Sequence, residues 1–270
     1  MDKLIFNVSM PRSGSELIQV VLHQNPKIYG SATSPLSEYL LGTRTGFETP
    51  GSQSQNQDLM EKGYFSMCEV MPKYFYKGVT DRPIVVDKNR TWLGYTEFVG
   101  QWNSNPKFIM MIRDLRSIVS SFEKRFRNNR HRLQGPDMPL ELKNLTTDER
   151  ADYWLNNTPI GTQLKYLKDI YEKRIQEKIL FVKYEDFCTN PNQELRRIYE
   201  YIEEPFFQHN FDQIIKEVEE DDRFWGMYGD HKVKEKLEKP NLYGWKDILP
   251  QGTCDGIRKE YNWYFQTFEY

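Results

Sequence analysis

Residues 3–22, KLIFNVSMPRSGSELIQVVL, decide the fold of this chain. The apolar run 4–8 contains β-branched residues and predicts a buried strand. The polar stretch 10–15 predicts a turn, after which apolar residues recur at helical spacing. A strand, a tight polar loop and a helix in this order direct several backbone N–H groups and a helix N-terminus at one point. That arrangement favours an anion.

Four loop residues have chemistry that suits a phosphate or sulfate group. Gly14 lets an anion approach the backbone closely. Ser13 and Ser15 offer hydroxyl donors, and Arg12 offers a planar guanidinium. The loop lacks the Gly-Lys-Ser/Thr ending of a Walker A loop. The alternative interpretation is an ordinary helix start capped by a serine.

The composition restricts the class of protein. The chain has 270 residues, a length that suits one α/β domain with insertions or, alternatively, two domains. A net charge of -2 argues against a general nucleic-acid binder. Three widely spaced cysteines form neither a metal-binding pattern nor a disulfide framework, which is typical of a reducing compartment. Because no leader peptide or membrane-spanning apolar run is visible, we expect a cytoplasmic protein.

Strands and helices alternate along the chain. The predicted strands cover residues 4–8, 26–30, 83–87, 107–112 and 178–184. Such alternation predicts parallel βαβ units, and therefore an α/β fold. Ligands of these sheets bind beyond the carboxyl ends of the strands, where the loops at Arg12, Asp87, Arg113 and Tyr184 lie.

A second strand-to-helix junction contains another pair of candidate anion ligands. Arg113 follows the fourth strand, at the start of a helix that we expect to begin near Asp114. Ser121 lies eight residues after Arg113 and shares a helical face with Ser117. The alternative is that Arg113 pairs with a carboxylate and that Ser121 is a solvated helix residue.

Together these segments resemble the sulfotransferases that use 3′-phosphoadenosine 5′-phosphosulfate (PAPS). Residues 11–15 are similar to the 5′-phosphosulfate loop of that family, and Arg113 with Ser121 to its 3′-phosphate element. Residues 179–191, ILFVKYEDFCTNP, resemble its strand-Tyr-Glu-Asp segment, which places Tyr184 near the adenine. The resemblance covers residues 4–203, and the stretch 243–250, YGWKDILP, is a looser match.

The resemblance implies a P-loop-like, three-layer α/β fold with a central, mainly parallel five-stranded sheet flanked by helices. It implies a soluble enzyme of the bacterial or viral type, with distant similarity to the tyrosine-sulfating branch. Such an enzyme transfers the sulfuryl group of PAPS to a hydroxyl or amine and releases 3′-phosphoadenosine 5′-phosphate (PAP). The acceptor would be a small molecule, saccharide or peptide, and no metal, nucleic acid or membrane span is expected.

The resemblance also suggests roles for individual residues. Arg12 and Lys88 would neutralise charge on the leaving phosphate and on the sulfuryl oxygens. Glu38 is the first candidate for the general base, because the tyrosine-sulfating branch uses a glutamate after its second strand. Asp87 is the second candidate. Lys88 could instead be a surface lysine, and Glu38 a residue that stabilises a helix start.

Glu16 departs from the family pattern, which has threonine or serine at this position. A carboxylate at a helix N-terminus is locally favourable, but it would repel a phosphosulfate. The family's stacking aromatic has no counterpart at Leu17, and no histidine lies in residues 87–90, where the aryl-sulfotransferase branch has its catalytic histidine.

We expect a single domain over residues 1–270, with loop insertions at 42–80 and 132–147. The first contains a stretch, 42–57, rich in Gly, Ser, Thr, Gln and Asn, which predicts a mobile surface loop. A C-terminal extension over 204–270 would cover the nucleotide, with His231 and Lys232 as contacts. The alternatives are a P-loop-type ATP-dependent kinase and a nucleotide-binding module without catalysis.

Overall fold

A five-stranded sheet forms the centre of the computed structural model, which describes residues 1–129, 140–218, 220–221 and 232–270. All neighbouring strands are parallel, and their order is β2-β3-β1-β4-β5. The predicted α/β fold is confirmed. The strands are β1 (Lys3–Asn7), β2 (Ile28–Thr33), β3 (Ile84–Lys88), β4 (Lys107–Ile112) and β5 (Ile179–Lys183).

Helices connect the strands and cover both faces of the sheet. Within the described residues they are α1 (Ser15–His23), α2 (Leu36–Thr43), α3 (Pro50–Gln53), α4 (Gln57–Lys77), α5 (Thr96–Trp102), α6 (Leu115–Asn128), α7 (Thr147–Asn156), α8 (Ile160–Glu172), α9 (Tyr184–Thr189), α10 (Pro191–Tyr201), α11 (Gln251–Glu260) and α12 (Asn262–Thr267). Short 3₁₀ turns lie at Arg44–Glu48, Arg90–Tyr95, Leu140–Lys143, Gln176–Lys178 and Gly244–Asp247.

The side chains of the strands alternate between two apolar cores, one on each face of the sheet. In β1, Leu4 and Phe6 belong to one core, and Ile5 belongs to the other. Helices α1, α9 and α10 cover the face of Ile5, whereas α2, α4–α8, α11 and α12 cover the opposite face. The result is the three-layer arrangement that the sequence predicts.

The prediction of a loop insertion over residues 42–80 is wrong. This region contains the end of α2, a 3₁₀ turn, α3 and the 21-residue helix α4. Thr49 and Asn56 accept hydrogen bonds from the backbone at the starts of α3 and α4, so the polar residues here are helix caps. Tyr64 and Cys68 of α4 pack into the core.

The second predicted insertion, 132–147, lies largely outside the described residues. Its described part contains the turn Leu140–Lys143 and the start of α7. None of the helices in the described part of the chain has the length and apolar character needed to cross a lipid bilayer.

The strand order creates a crevice between β1 and β4. The chain leaves β1 towards β2 at one edge of the sheet, and it leaves β4 towards β5 at the other edge. Two neighbouring strands whose connections diverge leave an open crevice at their carboxyl ends. The loops that contain Arg12 and Arg113 both begin at this crevice, so the topology places the two predicted anion-binding elements side by side.

Candidate functional site

A cavity of about 750 Å³ lies at the carboxyl ends of the strands. Its lining includes the loop between β1 and α1, the ends of β2 and β3, the first turn of α2, one face of α6, the start of α9 and residues 232–248. The predicted site residues that line it are Arg12, Gly14, Ser15, Glu38, Lys88, Arg113, Ser121, Tyr184 and Lys232. His231 lies outside the described residues. Residues that are far apart in the sequence therefore meet in one space.

The loop between β1 and α1 turns sharply through two residues with left-handed backbone. Arg12 has φ 59° and Gly14 has φ 94°. A Cβ atom on Gly14 would lie 2.7 Å from Cδ2 of Tyr184, closer than real Cβ atoms approach carbon. Both the backbone angle and the contact with Tyr184 therefore require glycine at this position.

The hydroxyl of Ser13 does not face the cavity, which corrects its predicted role as an anion ligand. The side chain is buried, and its Oγ donates to the carbonyl oxygens of Met10 at 2.6 Å and Met111 at 2.8 Å. A hydroxyl has one hydrogen to donate, and these two carbonyls share it. Ser13 thus anchors the loop to the end of β4, while Ser15 lines the cavity.

Arg12, Arg113 and Ser121 join the two predicted anion-binding elements. Nε of Arg12 donates to Oγ of Ser121 at 3.2 Å. Nη1 of Arg113 donates to the carbonyl oxygen of Arg12 at 3.0 Å. Nε of Arg113 is buried and has no hydrogen-bond partner in the described chain, so a donor is available there for an oxyanion. The hydroxyl of Tyr264 donates a hydrogen bond to the carbonyl oxygen of Arg113 at 2.9 Å.

Tyr184 forms an aromatic wall beside this junction. It is the first residue of α9, and the guanidinium of Arg113 lies over its ring at 4.4 Å from the centroid. Burial raises the pKa of Tyr184 to about 12, so the phenol stays neutral at physiological pH. A flat neutral ring that lines the cavity next to two arginines suits a planar base attached to a phosphate.

Lys88 enters the cavity from the end of β3 and pairs with two carboxylates. Its Nζ contacts Glu16 directly and lies 3.5 Å from Oε2 of Glu220. The other oxygen of Glu16 lies 2.7 Å from Nζ of Lys216. The carboxylate of Glu16, at the N-terminus of α1, is thus paired with two lysines. Sequence reasoning missed Lys216 and Glu220, because no motif connects residues so distant from Glu16.

Asp87 is a structural residue, so its prediction as a second candidate base is wrong. Its side chain is fully buried and does not line the cavity. It accepts hydrogen bonds from the hydroxyl of Tyr76 at 2.5 Å and from Nε1 of Trp92 at 2.8 Å. Burial raises the pKa of Asp87, and no substrate in the cavity can reach it.

Glu38, by contrast, lines the cavity from the first turn of α2. Oγ of Ser37 donates to its carboxylate at 2.7 Å, and Nδ2 of Asn89 lies 3.2 Å from both carboxylate oxygens. Asn89 also donates to the carbonyl oxygen of Ser34 at 2.7 Å. The carboxylate is therefore oriented by its neighbours and open to the cavity, as a general base needs to be. Its role as the base stays a prediction.

The described cavity wall carries an excess of positive charge. Arg90, which sequence reasoning missed, is half-buried, and desolvation lowers its pKa while Glu220 opposes that shift. Its position in the polar run 87–90, directly after the predicted third strand, is the sequence signal that could have identified Arg90 as a site residue. Nine basic residues line the cavity against four acidic ones, although the whole chain has a net charge of -2. The basic residues are Arg12, Lys88, Arg90, Arg113, Lys124, Lys232, Lys234, Lys236 and Lys239. This excess favours a multiply charged anion.

Part of the C-terminal region closes one side of the cavity. Trp245 and Ile248 line it, and the guanidinium of Arg116 lies 4.3 Å from the ring centre of Trp245.

Among the described residues, no group of three or more His, Cys, Asp and Glu side chains is placed to hold a metal ion.

The chain belongs to the sulfotransferase family, whose sequence model matches residues 5–208. It is 22% identical over 258 residues to a Caenorhabditis briggsae protein named "Putative protein-tyrosine sulfotransferase", covering 93% of this chain and 84% of that protein. It is 24% identical over 159 residues to human sulfotransferase 1C2, covering 58% of this chain and 47% of that protein. These matches identify the chain as a sulfotransferase enzyme.

Solved structures show the same fold. The sulfotransferase domain from the curacin biosynthetic pathway superimposes with a TM-score of 0.57 at 15% identity, covering 97% of this chain and 98% of that domain. The sulfotransferase domain of the Synechococcus PCC 7002 olefin synthase gives a TM-score of 0.56 at 15% identity, covering 96% and 94%. At these identities the similarity shows the fold alone.

Proposed function

We propose that this sulfotransferase transfers the sulfuryl group of PAPS to a hydroxyl or amine acceptor and releases PAP. The observation that carries the proposal is the contact between the two anion-binding elements. Arg12 of one element donates to Ser121 of the other, and Arg113 donates to the backbone of Arg12. Two anionic groups of one ligand, separated by a nucleoside, could bind on this continuous surface.

The chemistry of the donor set fits PAPS. The backbone of residues 12–15 and the N-terminus of α1 would bind the 5′-phosphosulfate, with Arg12 as a charge-assisted donor. Arg113, with its unpartnered Nε, and Ser121 would bind the 3′-phosphate. Tyr184 would contact the adenine, since it lies against both Arg113 and Gly14.

The protein would promote sulfuryl transfer by in-line displacement chiefly through positioning and electrostatics. Lys88 and Arg12 would neutralise the charge that develops at the transferred group and the leaving phosphate. The carboxylate of Glu38, exposed to the cavity and held by Asn89, would accept the proton of the acceptor. The excess of basic residues in the cavity supports the binding of so highly charged a donor.

The candidate acceptors follow from the chemistry of the proposed base and from the name of a relative. A carboxylate base suits a hydroxyl acceptor, since it has only to remove a proton as the oxygen attacks. The name of the C. briggsae relative adds a peptide tyrosine to the acceptors worth testing. We therefore propose a panel of a simple phenol, a tyrosine-containing peptide, a saccharide, an aliphatic alcohol and an amine.

The test is to incubate the protein with sulfur-labelled PAPS and each acceptor, and in parallel with phosphorus-labelled ATP and Mg²⁺. We expect labelled sulfate to appear on at least one acceptor class, with PAP released in equal amount. Added PAP should inhibit by competing with PAPS. Labelling from ATP and Mg²⁺ alone would contradict the proposal and favour a kinase. PAP binding without transfer to any acceptor would favour a nucleotide-binding module.

A further inference from the structure

A carboxylate lies where an anionic donor would be expected to exclude one. The side chain of Glu16 is 12% exposed and lines the cavity from the first turn of α1. Both of its oxygens are paired: one contacts Lys88, and the other contacts Lys216 at 2.7 Å. Lys216 lies in the segment 203–218, which follows α10. Glu16 thus connects the end of β3 to a segment that follows Glu16 by 200 residues in the chain.

We propose that Glu16 is a positioning residue that fixes the ammonium group of Lys88 at the reacting end of the cavity. The proposal rests on the proposed function, because it assumes that Lys88 acts on the transferred group. A lysine has four rotatable side-chain bonds, and its ammonium is a mobile point charge unless it is held. Glu220, at 3.5 Å, is a more distant partner than Glu16.

This arrangement has an electrostatic cost. Glu16 repels an anionic donor, so its presence weakens donor binding, and Lys216 offsets only part of that repulsion. The benefit is a preorganised Lys88, which acts on the rate of transfer rather than on binding. The two effects have opposite signs. A residue that only supports the folded loop would not produce this combination.

Glu16→Gln separates the two effects, because it keeps the size of the side chain and removes its charge. We expect PAP to bind roughly three- to tenfold more tightly, since one repulsive charge is removed. We expect kcat to fall by about 10- to 100-fold, the scale of a misplaced catalytic group. The gain in PAP affinity should shrink at high salt, because screening weakens the repulsion that was removed.

Glu217→Gln is the matched control. Glu217 is the neighbour of Lys216 in the same segment, but it is exposed and pairs with His23 and Arg82. Its replacement removes the same charge and should leave kcat and PAP affinity unchanged. In a Lys88→Met background, Glu16→Gln should lower kcat no further, because the residue it positions is absent.

A second measurement does not depend on PAPS. The reactivity of each lysine towards an acylating reagent is followed by peptide mass spectrometry in the protein without ligand. Lys88 should be labelled several times faster in Glu16→Gln than in the unmodified protein or in Glu217→Gln, since its ammonium loses the nearer of its two carboxylate partners. Labelling of Lys88 at the same rate in all three proteins would overturn the inference.

The outcomes also distinguish this inference from the proposed function. If the unmodified protein binds no PAP and transfers no sulfuryl group, the proposed function fails, and the lysine labelling still decides whether Glu16 holds Lys88. If the unmodified protein is active but Glu16→Gln has normal kcat and normal PAP affinity, only the inference fails. Lower kcat together with weaker PAP binding would show a structural role for Glu16 and would also overturn it.

Discussion

At the end of β4, Arg113 donates to a backbone carbonyl and keeps a buried Nε with no hydrogen-bond partner in the described chain, whereas at the end of β3 Lys88 contacts two carboxylates. A neutral partner leaves the guanidinium of Arg113 able to bind a phosphate whose charge stays the same during the reaction. Carboxylate partners restrain a cation and balance its charge. We therefore expect Arg12, Arg113 and Ser121, here called the β1–β4 side, to bind the donor. We expect Lys88 and Glu38, here called the β3 side because Glu38 contacts Asn89 at the end of β3, to stabilise the charge that changes during transfer.

The largest expected effect lies on the β3 side, at Glu38. If it is the general base, Glu38→Gln should lower kcat by roughly 10²–10⁴ while the donor still binds. Asp87→Asn is the matched control. Asp87 is a carboxylate near the end of β3, where Asn89 contacts Glu38, but it is buried against Tyr76 and Trp92. We expect Asp87→Asn to lower the Tm and to keep the kcat of the folded fraction. An active Glu38→Gln with a folded but inactive Asp87→Asn would exchange the two roles.

The next effect concerns Lys88, whose charge should matter in the transition state. Lys88→Met should lower kcat by about 10²–10³, the cost of losing one preorganised electrostatic group. The single variant also leaves Glu16 with less compensation, which should weaken PAP binding. The double variant Lys88→Met with Glu16→Gln restores the local charge balance. Its PAP affinity should return to within a few-fold of the original while its kcat stays low, and near-normal turnover in either variant would contradict the role of Lys88.

Much of this fold could be predicted, because four apolar runs bounded by polar residues, those of β1, β3, β4 and β5, specify a buried parallel sheet. The fourth strand has the bounds that the sequence indicated, residues 107–112. The sequence predicts a loop at 42–57 because threonine and asparagine, the types of Thr49 and Asn56, occur in loops as well as at helix starts. The buried aromatic face of α4, which reveals the helix, begins only after these caps.

The site residues at the strand ends could also be predicted, since the carboxyl ends of parallel strands converge on one edge of the sheet. The directions of individual side chains could not. Asp87 and Lys88 are consecutive in β3 and therefore point to opposite faces, one into the core and the other into the cavity. Ser13 lies within the predicted loop but points back to Met111. Lys216 carries no sequence signal because only the folded chain brings it to Glu16.

The central claim is that the β1–β4 side binds both phosphate groups of one nucleotide, and Arg113 tests it most directly. Isothermal titration and thermal shift with PAP and AMP should be compared in the unmodified protein and in Arg113→Ala. A charge-assisted contact contributes about 1.5–3 kcal/mol, so PAP should bind roughly 10- to 100-fold more tightly than AMP. Saturation at a hundredfold excess over Kd should raise stability by about 2.7 kcal/mol. In Arg113→Ala the difference between PAP and AMP should disappear while AMP still binds; equal affinities for PAP and AMP in the unmodified protein would contradict the claim.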